Sequence, residues 1–200
     1  VVAHHQPQWQ TWEQFLNGQT AAALARDGLR ETFAIEIPGG EHVIINTSTA
    51  PIIYNKGGSI LRQIEGYIGS QNFKAGLQDF LKKHAYECAA SHHLWQSFET
   101  IAQRPIGAMM KSWIEHPGFP FVEVKQVGHR LVLNQKRFTY LPGEFHQKWI
   151  IPITINLFFN TEKSRRMTVL LDHAQKQIDI PADTVAYKIN YGQTGFYRVK

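Results

Sequence analysis

The sequence predicts an α+β fold, with helices first and a small antiparallel β-sandwich after them. Three observations carry the prediction. Apolar residues recur at helical spacing between Gly57 and Ile114. The run Pro117-Gly118-Phe119-Pro120 then breaks the chain. Beyond it the apolar period shortens from about 3.6 to about 2 residues, across several short segments separated by turns. The division is expected near residue 118, with a helical part over 1–117 and a sandwich over 118–200.

Taken in order, Trp9, Trp12 and Phe15 stand at helical spacing, and Ala21 to Leu29 also reads as helix. Glu36-Ile37-Pro38-Gly39-Gly40-Glu41 is a loop by its Pro and paired Gly. Residues 42–53 are β-branched and apolar but interrupted by Asn46-Thr47-Ser48-Thr49, and are expected to be an extended approach to Tyr54. From Gly57 a helix places Ile60, Leu61, Ile64 and Ile68 on one stripe and ends near Gly69. Ser70 fits the N-cap of a second helix carrying Phe73, Leu77, Phe80 and Leu81. A third follows Ser91 with Leu94, Trp95, Phe98 and Ile101. Pro105 suits the first turn of a fourth, whose Ile106, Met109, Met110, Trp113 and Ile114 are core positions. The strand candidates are Phe121–Val124, Leu131–Phe138 after a turn at Gly128, Trp149–Phe159, Met167–Leu171, Gln177–Ile180, Val185–Asn190 and Phe196–Val199.

Composition narrows the class. A hydrophobic fraction of 43% is ordinary for a globular chain, and no run reaches the roughly 18 apolar residues of a membrane span. The first residues have no basic and apolar leader pattern, and the missing Met suggests a processed or excised segment. The one cysteine, Cys88, excludes an internal disulfide and suits a reducing, cytoplasmic compartment. The charge is uneven: residues 1–117 hold 9 Lys+Arg against 10 Asp+Glu, and residues 118–200 hold 12 against 6. Because those basic residues alternate with apolar ones along strands, they read as a solvated sheet face, and no nucleic-acid partner is expected.

The most informative stretch is Tyr54-Asn55-Lys56-Gly57-Gly58-Ser59-Ile60-Leu61-Arg62. It sets a phenol just before a Lys-Gly turn that opens a helix. Further fragments follow in order: Leu61-Arg62-Gln63-Ile64-Glu65, Phe73-Lys74-Ala75-Gly76-Leu77, Phe80 to Tyr86, Leu94-Trp95, Met110-Lys111-Ser112-Trp113-Ile114, Trp149 to Ile153 and Asn190 to Val199. Together they resemble the aminopeptidase N family of gluzincin zinc aminopeptidases, in its tricorn-interacting-factor form, over nearly the whole chain. The resemblance implies the helical end of a thermolysin-like catalytic domain followed by a β-sandwich. It implies zinc in the full-length parent, peptide substrates, and a tyrosine at position 54 that stabilises the tetrahedral intermediate. It also brings Thr49, in the stretch up to Ile53, forward as a substrate-binding candidate. Ile53 in place of Ser or Thr, Gly58 in place of Ala or Ser, and Phe33-Ala34 in place of His-Pro depart from the family pattern and touch the pocket lining.

The chemistry needs three zinc ligands, an activated water and a general base. The family takes these from H-E-x-x-H and a later Glu, and holds the substrate amine with G-x-M-E-N. None of these motifs occurs here, so no metal ligand and no cofactor are expected in this segment, which is expected to be inactive alone. A free phenol titrates near about 10, so at neutral pH a tyrosine hydroxyl can donate to an oxyanion. His84, Cys88 and His92 share an i, i+4, i+8 spacing that would align soft ligands only on an unbroken helix. The rival function is a non-catalytic interaction scaffold on the same fold. A cut through a helical domain is also expected to bare apolar surface around Trp9, Trp12 and Ile60, a route to self-association.

Overall fold

The computed structural model describes residues 2–36, 44–143, 145–160 and 163–200. Its helices are α1 (Val2–His5), α2 (Thr11–Gln14), α3 (Ala21–Asp27), α4 (Gly57–Ile68), α5 (Ser70–Lys83), α6 (Ser91–Ala102) and α7 (Ile106–Ile114). A 3₁₀ turn spans Pro7–Trp9, and two π-helical turns span Phe15–Thr20 and Pro51–Lys56. The expected extended approach to Tyr54 is corrected here. Asn46 folds the segment into a turn: its Oδ1 accepts the Ser48 and Thr49 N–H groups at 2.9 and 3.2 Å. The Thr49 hydroxyl in turn accepts the Asn46 N–H at 2.9 Å. Ala50 is already helical, and Pro51 fits the first π-helical turn because it has no N–H to satisfy. The polar run is thus a helix start, not an interruption of a strand. Residues 42 and 43 of that stretch lie outside the described residues.

Two boundaries also shift. Gly69, with φ 84° and ψ 151°, stands at the joint, and Ser70 is the first residue of α5 instead of its cap. Its hydroxyl donates to Glu65 Oε1 at 3.0 Å. Pro105 precedes α7 at the N-cap position. α4 and α7 turn their apolar stripes inward as the periodicity predicts, whereas Leu81 of α5, expected to face inward, is 64% exposed because it lies in the last turn of that helix. Ile60, Ile64 and Ile68 of α4 and Ile106, Met109, Met110 and Trp113 of α7 are buried.

The strands form two sheets, β5-β2-β1-β7 and β4-β3-β6, where β1 is Pro120–Val127, β2 Arg130–Arg137, β3 Ile151–Phe159, β4 Ser164–Leu171, β5 Gln175–Asp179, β6 Thr184–Ile189 and β7 Arg198–Val199. Among the described residues all strand pairs are antiparallel but one: β7 runs parallel to β1, with Phe121 opposite Arg198. Val122, Leu131, Leu133 and Ile178 of one sheet and Ile151, Ile153, Ile155, Leu157 and Leu171 of the other belong to the same buried cluster as the helix residues. β3 is buried from Ile151 through Leu157 without alternation, as a central strand covered on both faces must be. The seam between helices and sheets is polar as well as apolar. Trp113 Nε1 donates to the Ile150 carbonyl at 3.0 Å, and Gln63 Oε1 accepts the Phe196 N–H at 2.8 Å. Several basic residues of the sheets face acids, as in Lys136–Glu123 at 2.9 Å and Arg130–Asp179 at 2.9 Å. Among the described residues no helix is long and apolar enough to cross a membrane.

Candidate active site

Tyr54 sits midway along the π-helical turn Pro51–Lys56. Such turns insert one extra residue per turn and occur often at functional sites. Ile52 and Lys56 on either side are completely buried, while Tyr54 is 60% exposed. The turn therefore stands on two buried feet and lifts the phenol between them. Beside it lies a cleft of about 390 Å³ walled by Ile35, Ile53, Leu61, Trp95, Met110 and Ile114, with Gly57 and Gly58 at its edge. Glu36 and Ser91 are its polar members, and the Ser91 hydroxyl donates to Glu36 Oε2 at 3.1 Å. The Glu36 N–H donates to the Ile114 carbonyl at 2.9 Å, which fixes that wall. The arrangement offers a phenolic donor at the rim of an apolar recess.

Thr49 lies one turn before Tyr54 but does not line this cleft. Its hydroxyl donates to the Ile44 carbonyl at 2.7 Å besides accepting from Asn46, so both its roles are taken within the turn. Ile60, expected on the bared surface, is instead fully buried in the shared core, because its stripe faces α7 and the sheets. Trp9 and Trp12 are exposed, at 58% and 41%. The Arg62 guanidinium lies 3.8 Å over the Trp12 ring.

Sequence reasoning places Lys56 at the start of the helix but does not find its partner. The ammonium is fully buried and lies 3.0 Å from Asp27 Oδ2, an aspartate that is itself fully buried. Burial pushes the Lys56 pKa below the ordinary lysine value, and the Asp27 carboxylate opposes that shift. A signal did exist in outline, since a lysine fixed in a core by the helix period requires a buried acid, but the sequence does not say which one.

Among the described residues, no three His, Cys, Asp or Glu side chains gather to hold a metal ion. The donor set of a catalytic zinc is therefore not met by these residues. His84, Cys88 and His92 do not share a helix face, because α5 ends at Lys83 and Tyr86 turns the backbone with φ 63°. The rings stack instead, His84 on His93 at 4.5 Å and His92 against His93 at 4.1 Å. Cys88 is exposed.

Comparison with known proteins gives the family. Residues 1–113 match the Peptidase family M1 domain, and the chain belongs to that family. It is 35% identical over its whole length to the probable aminopeptidase 2 of Sulfurisphaera tokodaii, of which it covers 25%. It is 34% identical over 96% of its length to the leucyl aminopeptidase of Saccharolobus solfataricus and covers 24% of that protein. The figures are 34%, 96% and 23% for the tricorn protease-interacting factor F2 of Thermoplasma volcanium. The chain thus spans about a quarter of the length of the relatives it matches.

Proposed function

We propose that this chain is a portion of a zinc-dependent aminopeptidase that removes N-terminal residues from peptides, and that it contributes Tyr54 to the stabilisation of the tetrahedral intermediate. The single observation that carries the reading is the placement of Tyr54. In a chain of peptidase family M1, the one phenol of the Tyr-x-Lys-Gly segment stands exposed on a π-helical crest at the rim of an apolar cleft. A neutral phenol there can donate a hydrogen bond to the oxyanion that forms when water adds to a peptide carbonyl. The aminopeptidase names of two of the relatives support the same reading.

In this account residues 1–117 form the back of the catalytic domain and 118–200 the β-sandwich that follows it. Zinc, when bound in the whole enzyme, polarises the carbonyl and activates the water. Its ligands and the general base lie elsewhere in the polypeptide. Thr49 serves by holding the turn that presents Ile53 and Tyr54. The compartment is cytoplasmic.

A donor without metal, base or amine anchor does not hydrolyse peptides. The isolated chain is therefore expected to show no turnover of an aminoacyl fluorogenic substrate with added zinc, while the full-length enzyme turns it over and a chelator abolishes the activity. Zinc-dependent turnover by the isolated chain would contradict the proposal.

A further inference from the structure

Two residues after Tyr54, on the same π-helical turn, the Lys56 ammonium reaches three oxygens: Asp27 Oδ2 at 3.0 Å, the Gly118 carbonyl at 3.0 Å and the His116 carbonyl at 3.2 Å. The two carbonyl contacts are hydrogen bonds and the contact to Asp27 is an ion pair. Asp27 Oδ1 meanwhile accepts the Thr32 hydroxyl at 2.6 Å and the Gly118 N–H at 3.0 Å. The cage joins the end of α3, the loop after it, the tyrosine turn and the passage from α7 into β1.

Stability is a poor explanation for such a cage. Taking two charges out of water costs several kcal/mol per ion, and apolar replacements of similar volume are often neutral or stabilising. What the cage supplies is direction, since each donor and acceptor tolerates only one placement of the turn. Ile52 anchors the other foot by packing alone, with no polar atom to set its rotation.

We infer that the Lys56–Asp27 pair is a positioning device for the Tyr54 hydroxyl, fixing the rotation and height of the π-helical turn beside the cleft. The inference rests on the reading of Tyr54 as the oxyanion donor. Lys56 has no access to substrate and acts only through the turn. A phenol that shifts by about 1 Å loses much of its effect, for misplacement of that size can lower a rate roughly a hundredfold.

The test is a double-mutant cycle in the full-length enzyme between Tyr54→Phe and the paired neutral change Asp27→Asn with Lys56→Met. The asparagine can keep the bonds to Thr32 and Gly118, and the methionine fills the lysine's place without charge. The pair change is expected to lower kcat by about ten- to a hundredfold with KM nearly unchanged. In the Tyr54→Phe background it is expected to lower kcat by less than about twofold, because the hydroxyl it positions is gone. An equal loss in both backgrounds, or no loss with the phenol present, overturns the inference. A Tyr54→Phe enzyme with unaltered kcat overturns the Tyr54 reading instead, so the two failures are distinct. If the paired variant does not melt cooperatively, Asp27→Asn alone, which keeps the carboxylate's shape, goes through the same cycle and is judged by the same outcomes.

Discussion

Gly69 holds the joint between α4 and α5 at φ 84° and ψ 151°, a region open almost only to glycine. No heavy atom lies within 4 Å of where its Cβ would stand, so any cost of a side chain is backbone strain and not a clash. Gly69→Ala is expected to destabilise the fold by about 1–3 kcal/mol, read as a lowered urea midpoint at unchanged slope. Gly18 is equally open but free of a positive φ, and alanine there is expected to be neutral or stabilising by up to roughly 1 kcal/mol. Equal losses at the two sites would contradict the strain argument. At this scale the position of Tyr54 just ahead of a helix is legible in the sequence, because Lys-Gly and an apolar period mark the helix start, while its proposed role comes from the family resemblance. Lys56 is legible only as a helix-start residue. Its burial depends on Asp27 and on two carbonyls at the α7–β1 passage, which are distant in sequence and brought together by the fold.

The α5–α6 junction is a cluster of three imidazoles. His93 Nδ1 accepts the Ala90 N–H at 3.2 Å, half of a capping box to which alanine can return nothing. Burial, and then the charges of His92 and His84, hold the His93 pKa below the usual histidine value. The unfolded chain therefore binds a proton at higher pH than the folded one. Stability from this group is complete above the unfolded value of about 6.5 and is lost as pH falls from there through the folded pKa. NMR titration of the His93 ring is expected to give a pKa below that of a model histidine peptide, and a value at or above it would contradict the stacked arrangement. Elements as a class follow the sequence closely, since period and breakers suffice to read α4 to α7 and most strands. The stretch before Tyr54 is the exception, and its cause is local. The run before Tyr54 looks β-branched, but Asn46 and Thr49 spend their side chains on a turn. β3 does alternate in sequence from Ile151 to Leu157, although both of its faces are buried.

For the molecule as a whole, helices and sheets are fastened into one buried cluster, while Trp9, Trp12, Ile44 and Ile45 of the helical part are exposed. Exposed apolar side chains of this size offer contact surface to a second copy of the chain. The isolated chain is expected to self-associate, eluting from a size-exclusion column earlier than a 22.9 kDa monomer and moving toward that position when Trp9 and Trp12 are replaced by lysine. A monomeric wild-type chain at all concentrations would contradict this. The most direct test of the central claim is the steady-state kinetics of Tyr54→Phe in the full-length enzyme. Loss of one oxyanion donor predicts a kcat lower by roughly a hundred- to a thousandfold with KM little changed. An unaltered kcat would show that Tyr54 takes no part in the chemistry and would contradict the account.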